Sequence, residues 1–307
     1  MKKKFFLTLF VILAFFFSIS NDEKRILIKS TELYSTLITF DLKTNIVNDK
    51  NLIFCSTIFN LLNKVEQRIN NKTNINLLSD NEQFIESKLT YENNIAIYAN
   101  LRKKLSFFEP FENLKIPIKF FIGDYNVSVL GFGIENYNEN NYKHKLLIKQ
   151  FEVIYFNLYD RTNKFIVKLF STESDEIILS TAFVGKTLYE SYEMIQNKVD
   201  NKKEFYAFAE KSTIQIPKIN FSISHLFNEF TGKKINQNII ESVIQDISFK
   251  LDENGSTLWS FSTIHTTKST GLNIIFNSPF ILYIKKKKES LPYFMLYIAN
   301  DELLSKR

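Results

Sequence analysis

Cysteine, glycine and proline are all scarce in this sequence of 307 residues, which contains one, seven and five of them. A single cysteine, Cys55, rules out any disulfide within the chain, so a hydrophobic core has to hold the fold. Hydrophobic residues supply that core, since they make up 45% of the chain. Cys55 lies in an apolar run, which predicts a buried side chain. An intermolecular disulfide or a reactive thiol is the alternative.

Catalytic and metal-binding patterns are also missing. No Gly-x-Ser-x-Gly turn occurs. His144, His225 and His265 share no spacing with Asp, Glu or Cys that would form a metal site. The pair Gly131-Phe-Gly133 lacks the third glycine of a dinucleotide-binding loop. We therefore predict no catalytic residue, no metal ligand and no cofactor, and we do not expect an enzyme.

The first twenty residues differ in character from the rest. Three lysines at 2–4 precede an apolar run at 5–17, and Ser18 and Ser20 place small residues where a signal peptidase cuts. This pattern predicts a signal peptide over 1–20 and hence a secreted protein, with a membrane anchor as the alternative. Removing the three lysines lowers the formal charge from +6 to +3. The remaining charge gives no argument for nucleic-acid binding, and no later segment is apolar and long enough to span a membrane.

We predict that residues 21–307 form one domain in which helices precede strands. Apolar residues at helical spacing favour helices over Glu23–Leu42, Ser56–Ile69 and Leu188–Lys198. Alternating or continuous apolar runs predict strands over 93–98, 116–122, 125–132, 145–159, 164–170, 212–222, 239–252, 274–284 and 292–299. This order indicates an α+β fold.

Two surface features bear on partners and modification. Asn-x-Ser/Thr sequons make four asparagines possible glycosylation sites: Asn71, Asn126, Asn220 and Asn254. The densest charge run consists of Lys285, Lys286, Lys287 and Lys288, between two apolar strands. It predicts a solvated hairpin tip, with contact to a polyanion such as a glycosaminoglycan as the alternative.

Several segments, in order, resemble the signatures of the serpin family of serine protease inhibitors. They are Asn51-Leu-Ile-Phe-Cys-Ser-Thr-Ile, Phe151-Glu-Val-Ile-Tyr-Phe-Asn-Leu-Tyr, Ile216-Pro-Lys-Ile, Asp252-Glu-Asn-Gly-Ser, Phe276-Asn-Ser-Pro-Phe and Pro292-Tyr-Phe-Met-Leu-Tyr-Ile-Ala-Asn. The resemblance implies an α+β fold with N-terminal helices, mixed and antiparallel sheets, and an exposed reactive loop near the C-terminus, in a monomer.

The resemblance also assigns the functional residues. The reactive loop covers about 253–275 and acts as bait for a protease, and after cleavage it inserts into a large sheet. Counting along the loop places the scissile bond at Lys268-Ser269, which suits a trypsin-like serine protease. The hinge that opens the loop consists of Glu253, Asn254, Gly255, Ser256, Thr257 and Leu258.

Departures from the family pattern leave a second function open. Inhibitory hinges carry small residues, whereas this one has Leu258, Trp259 and Phe261. The family commonly has serines at the positions of Cys55 and Ile58 and a histidine at that of Gln245, which implies that a central polar network is absent here. The chain is also short between about 63 and 150, which puts a strand of the inserting sheet in doubt. The alternative is a non-inhibitory serpin-like binding protein that cannot insert its loop.

Overall fold

A computed structural model describes residues 27–58, 87–88, 94–157, 164–171, 175–202, 204–235, 238–254 and 271–306. The predicted signal peptide lies outside these residues. The strands of the described part are β1 (Ile28–Lys29), β2 (Thr36–Thr39), β3 (Asn51–Cys55), β4 (Ser87–Lys88), β5 (Asn94–Lys104), β6 (Glu112–Asn113), β7 (Ile118–Ile122), β8 (Tyr125–Val129), β9 (Gly131–Ile134), β10 (Phe151–Phe156), β11 (Phe165–Phe170), β12 (Asp175–Ser180), β13 (Thr213–Pro217), β14 (Ile219–Leu226), β15 (Lys234–Ile235), β16 (Asn238–Leu251), β17 (Asn273–Ile275), β18 (Phe280–Lys286) and β19 (Phe294–Ile298).

Helices are few in the described part. They are α1 (Tyr142–Leu147), α2 (Leu188–Asp200) and 3-10 turns at Ser30–Glu32, Ile148–Gln150 and Asn228–Phe230. Helix α2 begins where the Thr187 side chain accepts a hydrogen bond from the Glu190 backbone N–H, as an N-cap does. Within the described ranges, no helix combines the length and the apolar character needed to cross a membrane.

A six-stranded sheet contains the strand that leads into the predicted loop. Its order is β1-β14-β16-β5-β4, with β15 paired to one end of β16. Strand β16 is antiparallel to β14 but parallel to β5, with which it pairs from Ile239↔Asn94 to Lys250↔Lys104. Val243, Gln245, Ile247 and Phe249 are buried on one face of β16, and Asp246 and Ser248 on the other face are buried as well.

A seven-stranded sheet has the order β10-β11-β12-β18-β19-β3-β2. All residues of β19 and β3 are buried, which matches their continuous apolar sequences. One face packs into the main core together with the six-stranded sheet, and α2 packs on the other face through Leu188, Tyr192 and Ile195.

The remaining strands form a four-stranded sheet, β17-β13-β9-β6, and the hairpin β7-β8. Gly133 in β9 has φ +148, and a Cβ added there would lie 1.9 Å from the Ile214 carbonyl oxygen of β13. Gly123, with φ +58, occupies the hairpin turn between Ile122 and Tyr125. Both positions require glycine, one for close approach and the other for a left-handed conformation.

The α+β class is confirmed, but the helix predicted over Glu23–Leu42 is wrong for residues 27–42. They form β1, a 3-10 turn and β2, because β2 finds a parallel partner in β3. The strand predicted over 145–159 begins only at Phe151, since α1 and a 3-10 turn precede it. The helix predicted over Ser56–Ile69 begins at Thr57, and everything after Ile58 in it lies outside the described residues.

Candidate reactive-loop site

The middle of the predicted loop lies outside the described residues. This applies to the hinge residues Gly255, Ser256, Thr257 and Leu258, to the bulky Trp259 and Phe261, and to the scissile pair Lys268 and Ser269. The described structure gives both ends of the loop, at Asp252–Asn254 and at Gly271–Ile275. These ends fix where the connection leaves one sheet and joins another.

Glu253 anchors the departing end. Its carboxylate forms an ion pair with the Lys218 ammonium and accepts a hydrogen bond of 3.1 Å from the Asn113 amide. Its carbonyl oxygen accepts from the Phe111 backbone N–H at 2.9 Å. Burial by itself would raise the pKa of Glu253, but the hydrogen bonds from Lys218 and Asn113 and the charge of Lys218 hold that pKa below its ordinary value.

Asp252 shapes the turn into the loop. It accepts hydrogen bonds from the Asn254 backbone N–H at 3.0 Å and from the Asn254 amide at 3.2 Å, and it pairs with Lys250 at 2.6 Å. Burial opposes its charge, yet these bonds lower the pKa of Asp252. The first two residues past β16 are therefore held by charged contacts.

The end of the loop that enters β17 is anchored by backbone groups of Leu272 and by strand pairing. The Leu272 N–H donates to the Ser212 hydroxyl at 2.9 Å, and the Leu272 carbonyl accepts from the Thr213 N–H at 2.8 Å. Strand β17 then runs parallel to β13, with Ile274 opposite Ile214 in the core. The loop thus joins the six-stranded sheet to the four-stranded one and is fixed at both ends.

The short chain suggested that a strand of the inserting sheet is missing, but the strand next to β16 is present. Strand β5 has eleven residues and pairs with β16 along almost its whole length. A segment that leaves β16 through a turn and folds back would run antiparallel to β16 and, since β5 is parallel to β16, antiparallel to β5 as well. If this segment lay between β5 and β16, it would form one antiparallel ladder with each of them, and antiparallel ladders are slightly more stable per residue than the parallel one.

A buried polar contact joins Cys55, Thr57 and Gln245, although the serines and the histidine of the family pattern are absent at Cys55, Ile58 and Gln245. The Thr57 hydroxyl contacts the Cys55 sulfur at 3.3 Å and accepts a hydrogen bond from the Gln245 amide. Thr57 was missed because it is one residue away from the position that the family pattern marks. The prediction of a buried Cys55 is confirmed: burial raises the pKa of Cys55 to about 11, against the opposing hydrogen bonds from Thr57 and Gln245, and so suppresses its reactivity.

The histidines occupy separate structural sites. The His144 Nδ1 accepts from the Asn138 N–H at 3.0 Å, and its Nε2 lies 3.4 Å from Glu112. His225 Nδ1 lies 2.7 Å from the Ser30 hydroxyl. His265 lies outside the described residues. Within the described ranges, no group of three or more His, Cys, Asp or Glu side chains could hold a metal ion.

The lysine run divides into a buried and an exposed part. Lys285 is only 6% exposed and pairs at 2.7 Å with Glu176, which also pairs with Lys168 at 2.6 Å. Lys285 is therefore unavailable to a polyanion, contrary to the alternative raised for the whole run. Lys287 and Lys288 lie exposed in the turn between β18 and β19, as predicted for a hairpin tip.

Three of the four sequons fall on described residues. Asn126 on β8, Asn220 on β14 and Asn254 after β16 are all exposed, so each could be reached by a modifying enzyme. Asn71 lies outside the described residues.

Comparison with known proteins gives structural likeness only. No family model matches the chain, and no curated protein matches its sequence. Similar solved structures include mouse protein-Z dependent protease inhibitor, with 13% identity, a TM-score of 0.46 and coverage of 79% of this chain and 62% of that one. Human glycosylated kallistatin has 14% identity, a TM-score of 0.44 and coverage of 80% and 64%. The chain spans less than two thirds of the length of either, and likeness of this degree says nothing of its activity.

Proposed function

We propose that this chain is a secreted serpin-like inhibitor of serine endopeptidases that offers residues 253–275 as bait. The observation that carries the proposal is the anchored connection from β16 to β17 beside a parallel pair of strands. Both ends of the connection are fixed by Glu253 and Leu272, so a protease would meet a tethered segment. The serpin motifs supply the assignment of that segment as a reactive loop.

Attack would take place at Lys268-Ser269, because a lysine before the cut suits the acidic specificity pocket of a trypsin-like protease. Cleavage would leave residues up to Lys268 attached to β16 only. That segment could then fold back between β5 and β16 and carry the acylated protease with it. Insertion would break the hydrogen bonds of the parallel β5-β16 ladder, but the two antiparallel ladders formed in its place would more than compensate for their loss.

A non-inhibitory binding protein is the second candidate, and two observations favour it. Leu258, Trp259 and Phe261 are bulky for a segment that must insert quickly, and each misfit costs about 1–3 kcal/mol. The Lys218–Glu253 pair would also have to tolerate movement of the hinge. Slow insertion lets the protease complete hydrolysis, and the loop then acts only as a substrate.

One experiment separates the two. Mature protein is incubated with trypsin, and the products are separated on a denaturing gel. A covalent complex that disappears in Lys268→Ala but persists in the control Lys288→Ala supports inhibition. Clean cleavage at Lys268 with full recovery of trypsin activity would support the binding protein. A second measurement is the melting temperature after cleavage, which rises only when the loop has inserted.

Secretion and surface contacts belong to the same proposal. We expect cleavage after Ser20 on export, a monomer in solution and no nucleic-acid partner. Glycosylation of Asn126, Asn220 and Asn254 would be seen as a mass shift that is lost when each is changed to Gln. Any polyanion contact would use Lys287 and Lys288, and heparin-affinity elution at lower salt in the Lys287→Ala/Lys288→Ala variant would reveal it.

A further inference from the structure

The hairpin of β7 and β8 brings Phe121 and Asn126 together as direct cross-strand partners. The Phe121 N–H donates to the Asn277 carbonyl at 2.8 Å instead of to β8. This pair is therefore a non-hydrogen-bonded one, in which the two Cα atoms lie about 4.5 Å apart and the side chains come closest across the ladder. The Phe121 ring and the Asn126 amide are thus close neighbours on one face of the hairpin.

That face of the hairpin points to solvent. On β7, Ile118 and Phe120 point inward and are 3% and 0% exposed, whereas Phe121 points outward and is 45% exposed. On β8, Asn126 and Ser128 alternate in the same way and are both exposed. These two residues are the acceptor asparagine and the hydroxyl residue of an Asn-x-Ser sequon. An exposed phenyl ring therefore lies beside an exposed sequon.

A short turn and a packed inner face hold this arrangement. The turn consists of Gly123 and Asp124 only, and Gly123 has φ +58, as the first central residue of a two-residue hairpin turn requires. On the inner face, the Phe120 ring packs edge-on against Phe280, with the ring centroids 6.3 Å apart. The hairpin is therefore attached to the core through one face, and Phe121 lies on the other.

The other described sequons have different surroundings. Asn220 lies opposite Lys250 in the pair of β14 and β16. Asn254 uses its amide nitrogen, the atom to which a glycan is attached, in hydrogen bonds of 3.2 Å to the Asp252 carboxylate and 3.4 Å to the Glu253 carboxylate. Among the sequons of the described residues, the one on β8 alone has an exposed aromatic ring as its cross-strand partner.

The chemistry of an N-linked glycan suits such a neighbour. Its first sugar, N-acetylglucosamine, has an apolar face of C–H groups in addition to its hydroxyls. A phenyl ring carries negative charge density on its face, and polarised C–H groups are attracted to it. A sugar that stacks on the ring removes apolar surface from water while its hydroxyls stay solvated. The covalent bond to asparagine already holds the sugar beside the ring, so stacking costs little association entropy.

We propose that Asn126 carries an N-linked glycan whose first N-acetylglucosamine stacks on the Phe121 ring and so stabilises the hairpin of β7 and β8. This inference rests on the secretion proposed above, because eukaryotic cells attach such glycans in the secretory pathway. It is independent of protease inhibition, since neither residue belongs to the loop. It also gives the exposed Phe121 ring a partner that the chain itself carries.

The first measurement determines whether Asn126 is modified. The chain is produced in mammalian cells that make only high-mannose glycans, once with its own residues 1–20 and once with an unrelated signal peptide in their place. Mass spectrometry of the glycopeptides gives the occupancy of Asn126. We expect a glycan on Asn126 in wild type and none in Ser128→Ala, which destroys the sequon but keeps the asparagine. An endoglycosidase then trims every glycan to its first sugar.

The second measurement is the gain in melting temperature that this sugar provides, taken as the difference between each trimmed protein and its Ser128→Ala counterpart. The gain is measured in wild type, in Phe121→Val and in the matched control Phe205→Val, whose ring is 58% exposed and lies outside the hairpin. We expect a gain of about 2 °C in wild type and in the control, and less than about 0.5 °C in Phe121→Val, because valine has no ring on which a sugar can stack.

A direct readout decides the matter if Phe121→Val does not fold. The ring current of Phe121 should shift the NMR signals of the first sugar upfield from their positions in the unfolded wild-type glycoprotein. An unmodified Asn126 in exported protein, equal gains in wild type and Phe121→Val, or sugar signals at their unfolded positions would overturn the proposal. Export that fails only with the native residues 1–20 would contradict the proposed secretion instead, and the stacking result would stand.

Discussion

Replacing Lys218 with methionine tests whether the ion pair at the loop base stabilises the fold. Lys218 and Glu253 side chains are 18% and 14% exposed, so the pair lies between a surface pair and a fully buried one. Surface pairs contribute about 0–1 kcal/mol, and removing one partner of a buried pair costs about 3–5 kcal/mol. Lys218→Met keeps the apolar stem but removes the cation, so that Glu253 keeps only two neutral side-chain donors among the described residues, the amides of Asn113 at 3.1 Å and Asn254 at 3.4 Å. We expect a loss of about 2 kcal/mol in the free energy of unfolding.

The assay is urea unfolding at pH 7, with Lys250→Met as the matched control. Lys250 pairs with Asp252 at the same turn but is 32% exposed, so its loss should cost no more than about 1 kcal/mol. The pair swap Lys218→Glu/Glu253→Lys should recover part of the loss, because Asn113 can bond to either charge once its amide is reversed.

The pH dependence gives a second check with a definite sign. The pKa of Glu253 is lowered in the folded chain, so its contribution to stability is present above its unfolded pKa of about 4.3 and is lost as pH falls through the folded value. The difference between wild type and Lys218→Met should therefore shrink in acid. A difference below about 0.5 kcal/mol at pH 7, or one that persists unchanged at pH 2, would refute the reasoning.

Three further predictions follow from single sites. Burial lowers the pKa of His225, although the charge of Glu229 opposes the shift. The contribution of neutral His225 to stability is therefore fully present above its unfolded pKa of about 6.5 and falls as pH drops through the folded value. Urea titrations should give a lower free energy of unfolding at pH 5 than at pH 7.5, and His225→Gln should reduce the difference between the two pH values. Cys55, with a pKa of about 11, should resist iodoacetamide at pH 8 until urea unfolds the chain, and rapid native alkylation would contradict its burial. Gly133→Ala should cost at least about 3 kcal/mol, measured by thermal unfolding against Gly232→Ala, which meets no atom within 4 Å but shares a positive φ.

The sequence predicted those features that depend on neighbours along the chain. Helix α2 followed from apolar spacing, and most of the strands, such as β16 and β19, from alternation or continuous apolar runs. Strand β16 ends at Leu251, just before the predicted hinge, whereas β17 begins at Asn273, inside the segment predicted as the loop over about 253–275. These patterns are local, and periodicity alone decides them because one face of each element has to be buried.

The tertiary structure decided everything that depends on distant partners. The apolar spacing of Glu23–Leu42 suits a helix, but β3 and Glu302, which is 268 residues from Tyr34, hold the described part of that segment extended. Lys285 belongs to a lysine run in the sequence, yet cross-strand register places it against Glu176 and buries it. Thr57 joins Cys55 to Gln245 only because β3 and β16 lie against each other. The sequence alone determined most of the strands, because local apolar patterns encode them; pairing register, which no local pattern encodes, determined which side chains meet.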